Sequence, residues 1–178
     1  MTSLDYRDVD YDSPADRALL ARWYEDPATK HLYSLFTDEE SAAQAFTPDY
    51  FLRVGRSLPT TGPFRSLLVL ADGVPIGEAK FETDTPKLLT REPHTAWIAL
   101  IIGEESYRGR GLAVEIVRHL EGLASASGAL RIEIGIFAYN TRSLRLFTQL
   151  GYEEFARQPE RIWWDGRRWD DVRLLKTL

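Results

Sequence analysis

The stretch from Thr95 to Tyr152 changes its hydrophobic period three times, and this succession restricts the fold more than any other feature of the chain. Thr95 to Ile102 is a strongly apolar run of strand length. The turn Gly103 to Gly109 follows. From about Gly111 to Ser127 the residues Ala113, Ile116, Val117, Leu120, Leu123 and Ala124 recur at helical spacing, and Gly128 supplies a C-terminal stop. Arg131 to Phe137 alternates as a strand. Asn140 to Leu150 returns to the helical period, with Leu144, Phe147 and Leu150 on one face and Gly151 at the end.

The flanks extend the pattern. Residues 13 to about 57 read as helical: Ser13 before Pro14 and Asp16 is an N-cap with proline at the first helical position. Asp38-Glu39-Glu40 opens a second short helix, and Pro48 to Val54 forms a third. Ser66 to Leu70 and Val74 to Glu82 flank the hairpin signal Asp72-Gly73. In the second of these strands Ile76, Glu78, Lys80 and Glu82 share one face, and Gly77, Ala79 and Phe81 the other. Residues 83–94 read as a loop. Tyr152 to Thr177 reads as two strands joined at Asp165-Gly166. The order is helices, hairpin, strand, helix, strand, helix, hairpin. It predicts one α/β (α+β) domain over residues 1–178, a mixed sheet flanked by helices.

Composition removes several function classes. The chain has no cysteine, which excludes disulfides, thiolate metal sites and a cysteine nucleophile. The N-terminus shows no basic segment followed by an apolar one, and no apolar run reaches the ~18 residues of a membrane span, so neither a signal peptide nor a membrane partner is expected. With a net charge of −5, nucleic acid is not the expected partner, and cationic amines are weakly favoured. A cytoplasmic location is the expectation. His31, His94 and His119 have no metal spacing, so no metal site is expected; His119 should lie on the exposed side of its helix, and only His94, before the central strand, is considered for catalysis.

The chemistry concentrates in Tyr107-Arg108-Gly109-Arg110-Gly111-Leu112-Ala113, which follows a strand and opens a helix. Glycines let backbone N–H groups approach a ligand, the helix N-terminus adds free donors and partial positive charge, and two arginines add mobile cations. Those parts make a pyrophosphate site; the competing reading is a plain glycine-rich turn with solvated arginines. The loop lacks the Gly-Lys-Ser/Thr ending of a P-loop and the Gly-x-Gly-x-x-Gly of a dinucleotide fingerprint.

Arg108-x-x-Gly111-x-Ala113 resembles the acetyl-CoA pyrophosphate loop of the GNAT acetyltransferase superfamily, whose pattern is Gln/Arg-x-x-Gly-x-Gly/Ala. Downstream, Asn140-x-x-Ser143-x-x-x-Phe147-x-x-x-Gly151-Tyr152 resembles the second motif of that superfamily, one helix and one strand later. The hairpin Trp163 to Val172 and the segment Trp23-Tyr24-Glu25-Asp26-Pro27 are similar to the ribosomal-protein and spermidine N-acetyltransferase branch.

The resemblance implies a mostly antiparallel sheet with one splayed parallel pair, about 96–102 and 131–137, holding acetyl-CoA as cosubstrate. Backbone groups at Ile101, Ile102 and Gly103 would pair with the pantetheine arm, and an N–H there would polarise the thioester carbonyl. The amides of Arg108, Gly109, Arg110, Gly111, Leu112 and Ala113 would hold the pyrophosphate. Asn140 and Ser143 would contact the pantetheine side or fix their helix against it, with Phe147 beside them. A primary amine (a protein N-terminus, a polyamine or another small amine) would attack the thioester directly. A homodimer is an expectation of the same kind.

Many members carry a tyrosine at the Phe147 position, proposed to protonate the leaving thiolate. Phe147 has no hydroxyl. Water or another residue, with Tyr139 and Tyr152 nearby in sequence, can stand in; the thiolate can leave unaided; or the chain is slow or inactive. Glu78, Glu82 and Glu104 are the candidate bases or amine-orienting acids, each against a reading as a solvated or surface-paired glutamate. Trp163, Trp164 and Trp169, set among arginines of the last hairpin, line the acceptor pocket, form a dimer surface or simply pack. The alternative functions are a non-catalytic acyl-CoA-binding or interaction protein on this fold and an enzyme for longer acyl groups. The acceptor loops, residues 28–63 and 83–95, would decide the substrate.

Overall fold

The structure is a computed structural model that describes residues 2–58 and 64–178. Its elements in chain order are β1 (Leu4–Asp8), α1 (Pro14–Glu25), α2 (Lys30–Tyr33), α3 (Glu39–Ala42), α4 (Pro48–Ser57), β2 (Arg65–Ala71), β3 (Val74–Thr83), β4 (Thr95–Ile102), a 3-10 turn (Glu105–Tyr107), α5 (Leu112–Ala126), β5 (Arg131–Phe137), α6 (Thr141–Gln149), β6 (Glu153–Trp164) and β7 (Arg167–Thr177). The strands form one sheet in the order β1-β2-β3-β4-β5-β7-β6. Every neighbouring pair is antiparallel except β4 and β5. This is the mixed sheet with flanking helices that the periodicity predicts.

Local chemistry explains the helix ends. Ser13 accepts a hydrogen bond from the Asp16 amide and Pro14 opens α1. Asp38 and Ser41 form a reciprocal capping box on α3, and Thr47 caps α4. Both sheet faces are covered. Leu67, Val69, Ala79, Phe81, Ile98 and Ile134 pack against α5 and α6. On the other face, Leu68 and Ile101 pack with Leu20 and Trp23 of α1 and Phe51 of α4. Burial on both faces is why β2 reads as a continuous apolar run rather than an alternating one.

The structure departs from the sequence reading in three places. β1 lies outside the sequence reading; it is a five-residue edge strand whose only inward apolar residues are Leu4 and Tyr6, alternating with the exposed Asp5 and Arg7, too short a pattern to stand out. Ile76 leaves the face of Glu78 and joins Ala79 and Phe81 in the core beneath α5. A bulge causes this: Val69 lies opposite Gly77 but Leu70 lies opposite Pro75, which leaves Ile76 as an extra residue. The short α2 breaks the helical region before Ser34, and the chain then reaches β6, where the Trp163 amide donates to the Phe36 carbonyl at 2.8 Å. Of the loop segment 28–63, residues 59–63 lie outside the described residues.

Candidate active site

The site begins where the parallel pair fails. β4 and β5 pair only at Thr95 with Arg131, Ala96 with Ile132 and Trp97 with Glu133. Beyond that the strands splay, and the facing edges of 98–102 and 134–137 have no strand partner. Between them opens a cavity of about 830 Å³, lined from both strands, from α1 and α2 on one side and from the start of α5 and α6 on the other. Ala99 lies exposed in the middle of the sheet and forms part of its floor. Unpaired strand edges are hydrogen-bonding templates for an extended ligand.

The mouth carries the glycine-rich loop. Gly111 is the N-cap of α5 at φ 82, with no side-chain cap on the helix, and a Cβ there would meet nothing within 4 Å. The Leu112 and Ala113 amides are thus first-turn donors beside the cavity that both residues line. The loop therefore has the free donors and the room that a pyrophosphate needs. Arg108 is not the mobile cation the sequence suggested. Its guanidinium donates to the carbonyls of Ile102 at 2.9 Å and Gly103 at 2.5 Å, and to the Asp26 carboxylate at 2.6 Å. Arg110 lies over the Tyr107 ring and does not line the cavity. Arg142, in the first turn of α6, lines it instead, and its guanidinium comes 3.7 Å from the place a Gly109 Cβ would take. The sequence reading missed Arg142; a cation two residues after the helix-capping Asn140 was the available signal.

Ile101 and Ile102 line the cavity, whereas Gly103 sits behind it, with a hypothetical Cβ 2.1 Å from the Trp23 indole. Asn140 caps α6 by accepting from the Ser143 amide at 3.2 Å, and both residues line the cavity. Phe147 also lines it, 6% exposed, edge-on to Tyr152.

The three glutamates occupy different settings. Glu78 is 1% exposed and lines the cavity, accepting from Ser66 at 2.5 Å and Tyr24 at 2.8 Å and pairing with Lys80 at 3.2 Å. Burial opposes the charge on Lys80, but Glu78 and Tyr24 outweigh it and raise its pKa well above the usual lysine value. Glu82 lines the cavity and pairs with Lys87. Glu104 does not line it: the carboxylate is taken by Arg22 and by the Trp23 indole N–H at 2.9 Å. Burial works against that carboxylate, yet Arg22 and Trp23 hold its pKa below the usual value.

Neither tyrosine named from sequence lines the cavity. The Tyr139 hydroxyl donates to the His31 carbonyl at 2.6 Å, and Tyr152 packs under Phe147. Tyr24 and Tyr33 line it instead. Burial pushes the Tyr33 hydroxyl up to about 12, against the pull of Arg108.

A second polar cluster on the far wall was not expected. Arg173 donates to Asp171 Oδ2 at 2.9 Å, to Glu133 Oε1 at 2.9 Å and to Gln158 at 3.3 Å, and stacks over Trp97. The Leu89 and Thr90 amides complete the shell of Glu133. Burial raises the pKa of Asp171, against Arg173. The i, i+2 spacing of Asp171 and Arg173 on one strand face was the available clue. The histidines lie elsewhere: His94 is an exposed loop residue, His31 stacks on Trp164, and His119 stacks on Tyr6 at 3.6 Å rather than facing solvent. Trp169 donates to the Trp164 carbonyl and packs on Tyr139.

A family model described as the acetyltransferase (GNAT) family matches residues 18–152. No curated protein matches the sequence. Among solved structures, a spermidine N-acetyltransferase SpeG chimera from Vibrio cholerae and hSSAT superposes with a TM-score of 0.76 at 18% identity, covering 98% of this chain and 95% of that one. The ribosomal-protein-alanine N-acetyltransferase from Brucella melitensis gives 0.71 at 21%, covering 98% and 99%. YncA from Salmonella typhimurium, solved with its cofactor acetyl-CoA, gives 0.71 at 22%, covering 98% and 93%. At these identities the likeness is one of fold.

Proposed function

The chain belongs to the acetyltransferase (GNAT) family, which transfers acetyl groups from acetyl-CoA, and from that premise we propose that it acetylates a primary amine by direct attack in the cleft between β4 and β5. The observation that carries this reading is the coincidence of three features in one cavity: splayed strand edges, an uncapped helix N-terminus behind Gly111, and buried polar groups at the opposite wall.

Acetyl-CoA supplies the activated thioester. The amides of Leu112 and Ala113, with Arg142, bind the pyrophosphate. Arg108 acts indirectly, holding the loop to the end of β4. The free edges near Ile101 and Ile102 align the pantetheine arm and offer an N–H toward the thioester oxygen. Phe147 provides an apolar wall and no proton. Tyr33 is the donor we assign to the departing sulfur on position: it lines the cavity and is protonated at neutral pH, while the burial that pushes it up to about 12 makes it a weaker acid, so the thiolate's own stability as a leaving group carries part of the step. Glu78 is saturated by Ser66, Tyr24 and Lys80, so it stabilises the wall rather than taking a proton. Glu82, with the exposed Lys87 as its ion-pair partner, is the carboxylate able to receive the amine proton through water.

Calorimetric titration of acetyl-CoA into wild type and Ala113→Glu, followed by assay of free CoA with an amine panel, tests the proposal. The variant puts a carboxylate among the phosphate-binding amides at a position where an acid suits the helix. Binding by wild type, its loss in Ala113→Glu and amine-dependent CoA release support the reading. Binding without release with any amine favours the non-catalytic alternative. Absence of binding sinks both.

A further inference from the structure

The acceptor half of the cleft neutralises its own charges almost completely. Lys80 is matched by Glu78, Lys87 by Glu82, and Arg173 by Glu133 and Asp171 Oδ2. Two groups are left over, one of each sign.

The first is Asp171 Oδ1. Asp171 is 2% exposed and lines the cavity, yet Oδ1 has no hydrogen-bond partner. It hangs over Gly135, 2.9 Å from the place a Cβ would occupy. Gly135 lies two residues beyond Glu133, the last residue of β5 paired with β4. The unpartnered oxygen thus stands where the strands begin to part. A buried acceptor of this kind calls for a donor.

The second is Arg161. It lines the same cavity, is exposed and makes no ion pair among the described residues. A bulge displaces it from the regular ladder: the β6–β7 register shifts between Gln158 and Ile162, and Glu160 takes φ 51. The Glu160 amide is fixed to Asp170 Oδ1 at 3.1 Å, so the bulge is anchored. Bulges that re-aim one side chain recur beside active sites.

One free carboxylate oxygen and one free guanidinium in a single cleft match a ligand with both charges. A polyamine would bring a second ammonium to a wall where the unpaired charge is cationic. A peptide N-terminus would offer an amine but only a carbonyl to Arg161. We propose that the acceptor is a small zwitterion, a free α-amino acid or close analogue, whose amine donates to Asp171 Oδ1 and whose carboxylate meets Arg161. This deepens the acetyl-transfer reading and rests on it. The transfer balances: the N–C bond forms as the C–S bond breaks, and the ammonium loses two protons, one released to solvent by way of Glu82 and one balanced by the proton that Tyr33 passes to the sulfur, so that CoA leaves as its thiol.

The test compares CoA release with the proteinogenic L-amino acids, their C-terminal amides and spermidine, in wild type and Arg161→Gln. In parallel, the same amino acids and amides are titrated calorimetrically into CoA-saturated protein. The expected result is a preference for free acids over amides of about tenfold or more, reduced toward one in Arg161→Gln. Asp171→Asn should weaken acids and amides together; because Asp171 belongs to a buried network, the exposed Arg161 variant carries the decision if Asp171→Asn fails to fold. Amides or spermidine used as well as the acids, or equal losses on acids and amides in Arg161→Gln, would overturn the proposal. If no amine releases CoA, acetyl transfer falls, and calorimetry still decides: amino-acid binding that depends on Arg161 supports the zwitterion site, and absence of binding removes it.

Discussion

Arg108 Nη2 donates to Asp26 Oδ2 at 2.6 Å across 82 residues of sequence, joining the C-cap of α1 to the loop that precedes α5. The same guanidinium holds the carbonyls of Ile102 and Gly103, so one side chain ties together the end of β4, the glycine-rich loop and the end of α1. The arginine that reads in sequence as a phosphate ligand is a strut.

Arg108→Ala should therefore weaken acetyl-CoA binding through loss of order rather than loss of a charge contact. Asp26→Asn, which leaves the arginine in place, should produce a loss of the same direction, measured by calorimetry. A direct phosphate role for Arg108 would predict the opposite, because releasing it from Asp26 would tighten binding. The hydrogen bond from Arg108 depresses the Asp26 pKa, so this contribution is present above the ordinary carboxylate value of 3.8 and is lost as pH falls through the lower folded value. The stability gap between wild type and Asp26→Asn should then narrow in acid urea titrations.

Gly103→Ala should destabilise the fold. A Cβ there would lie 2.1 Å from the Trp23 ring, which is 1% exposed and cannot step aside. Overpacking of this kind costs about 1–3 kcal/mol. Denaturant melts should show it, and a variant as stable as wild type would mean that Trp23 repacks.

Tyr33→Phe should lower kcat by about 10²-fold if its hydroxyl protonates the departing sulfur. The affinity for acetyl-CoA should change little, because the ring remains. A parallel loss of affinity would make Tyr33 a wall of the cleft instead. Phe147→Tyr in the Tyr33→Phe background should restore part of the rate, read in single-turnover experiments.

Two stacked histidines should make stability pH-dependent near neutrality. Burial lowers the pKa of His31 and of His119, the latter with help from Arg65. For a basic group, a folded pKa below the ordinary 6.5 means that the unfolded chain binds more protons just below that pH. Stability should be fully present above about 6.5 and fall as pH drops through and below it. Urea titrations from pH 8 to pH 5 should show the decline, and His31→Phe with His119→Phe should flatten it. An unchanged slope in the double variant would assign the decline to other groups.

The sheet, the long amphipathic helix and the loop at Gly111 were all legible in the sequence. Each depends on neighbours a few residues apart: apolar spacing sets the strand or helix period, Ser13 and Asn140 cap α1 and α6, and Asp165-Gly166 turns a hairpin. The features that escaped have a local pattern too short to read, or none. β1 is a short edge strand held by pairing with β2, and its apolar face is only Leu4 and Tyr6. The bulge that moves Ile76 into the core is fixed by register against β2.

The order of elements from α1 onward, the resemblance at the glycine-rich loop and the absence of a hydroxyl at Phe147 follow from the sequence, because these are properties of residues and their near neighbours. Which charges are spent and which are free emerges from the folded arrangement. Arg108 is bound to Asp26, Glu104 to Arg22 and Trp23, and Glu133 to Arg173, while Arg142, Tyr33 and Asp171 line the cleft. A long polar side chain takes whichever opposite charge the fold brings within reach, and burial fixes how strongly it must do so. Both depend on where distant parts of the chain return, which hydrophobic periodicity does not encode.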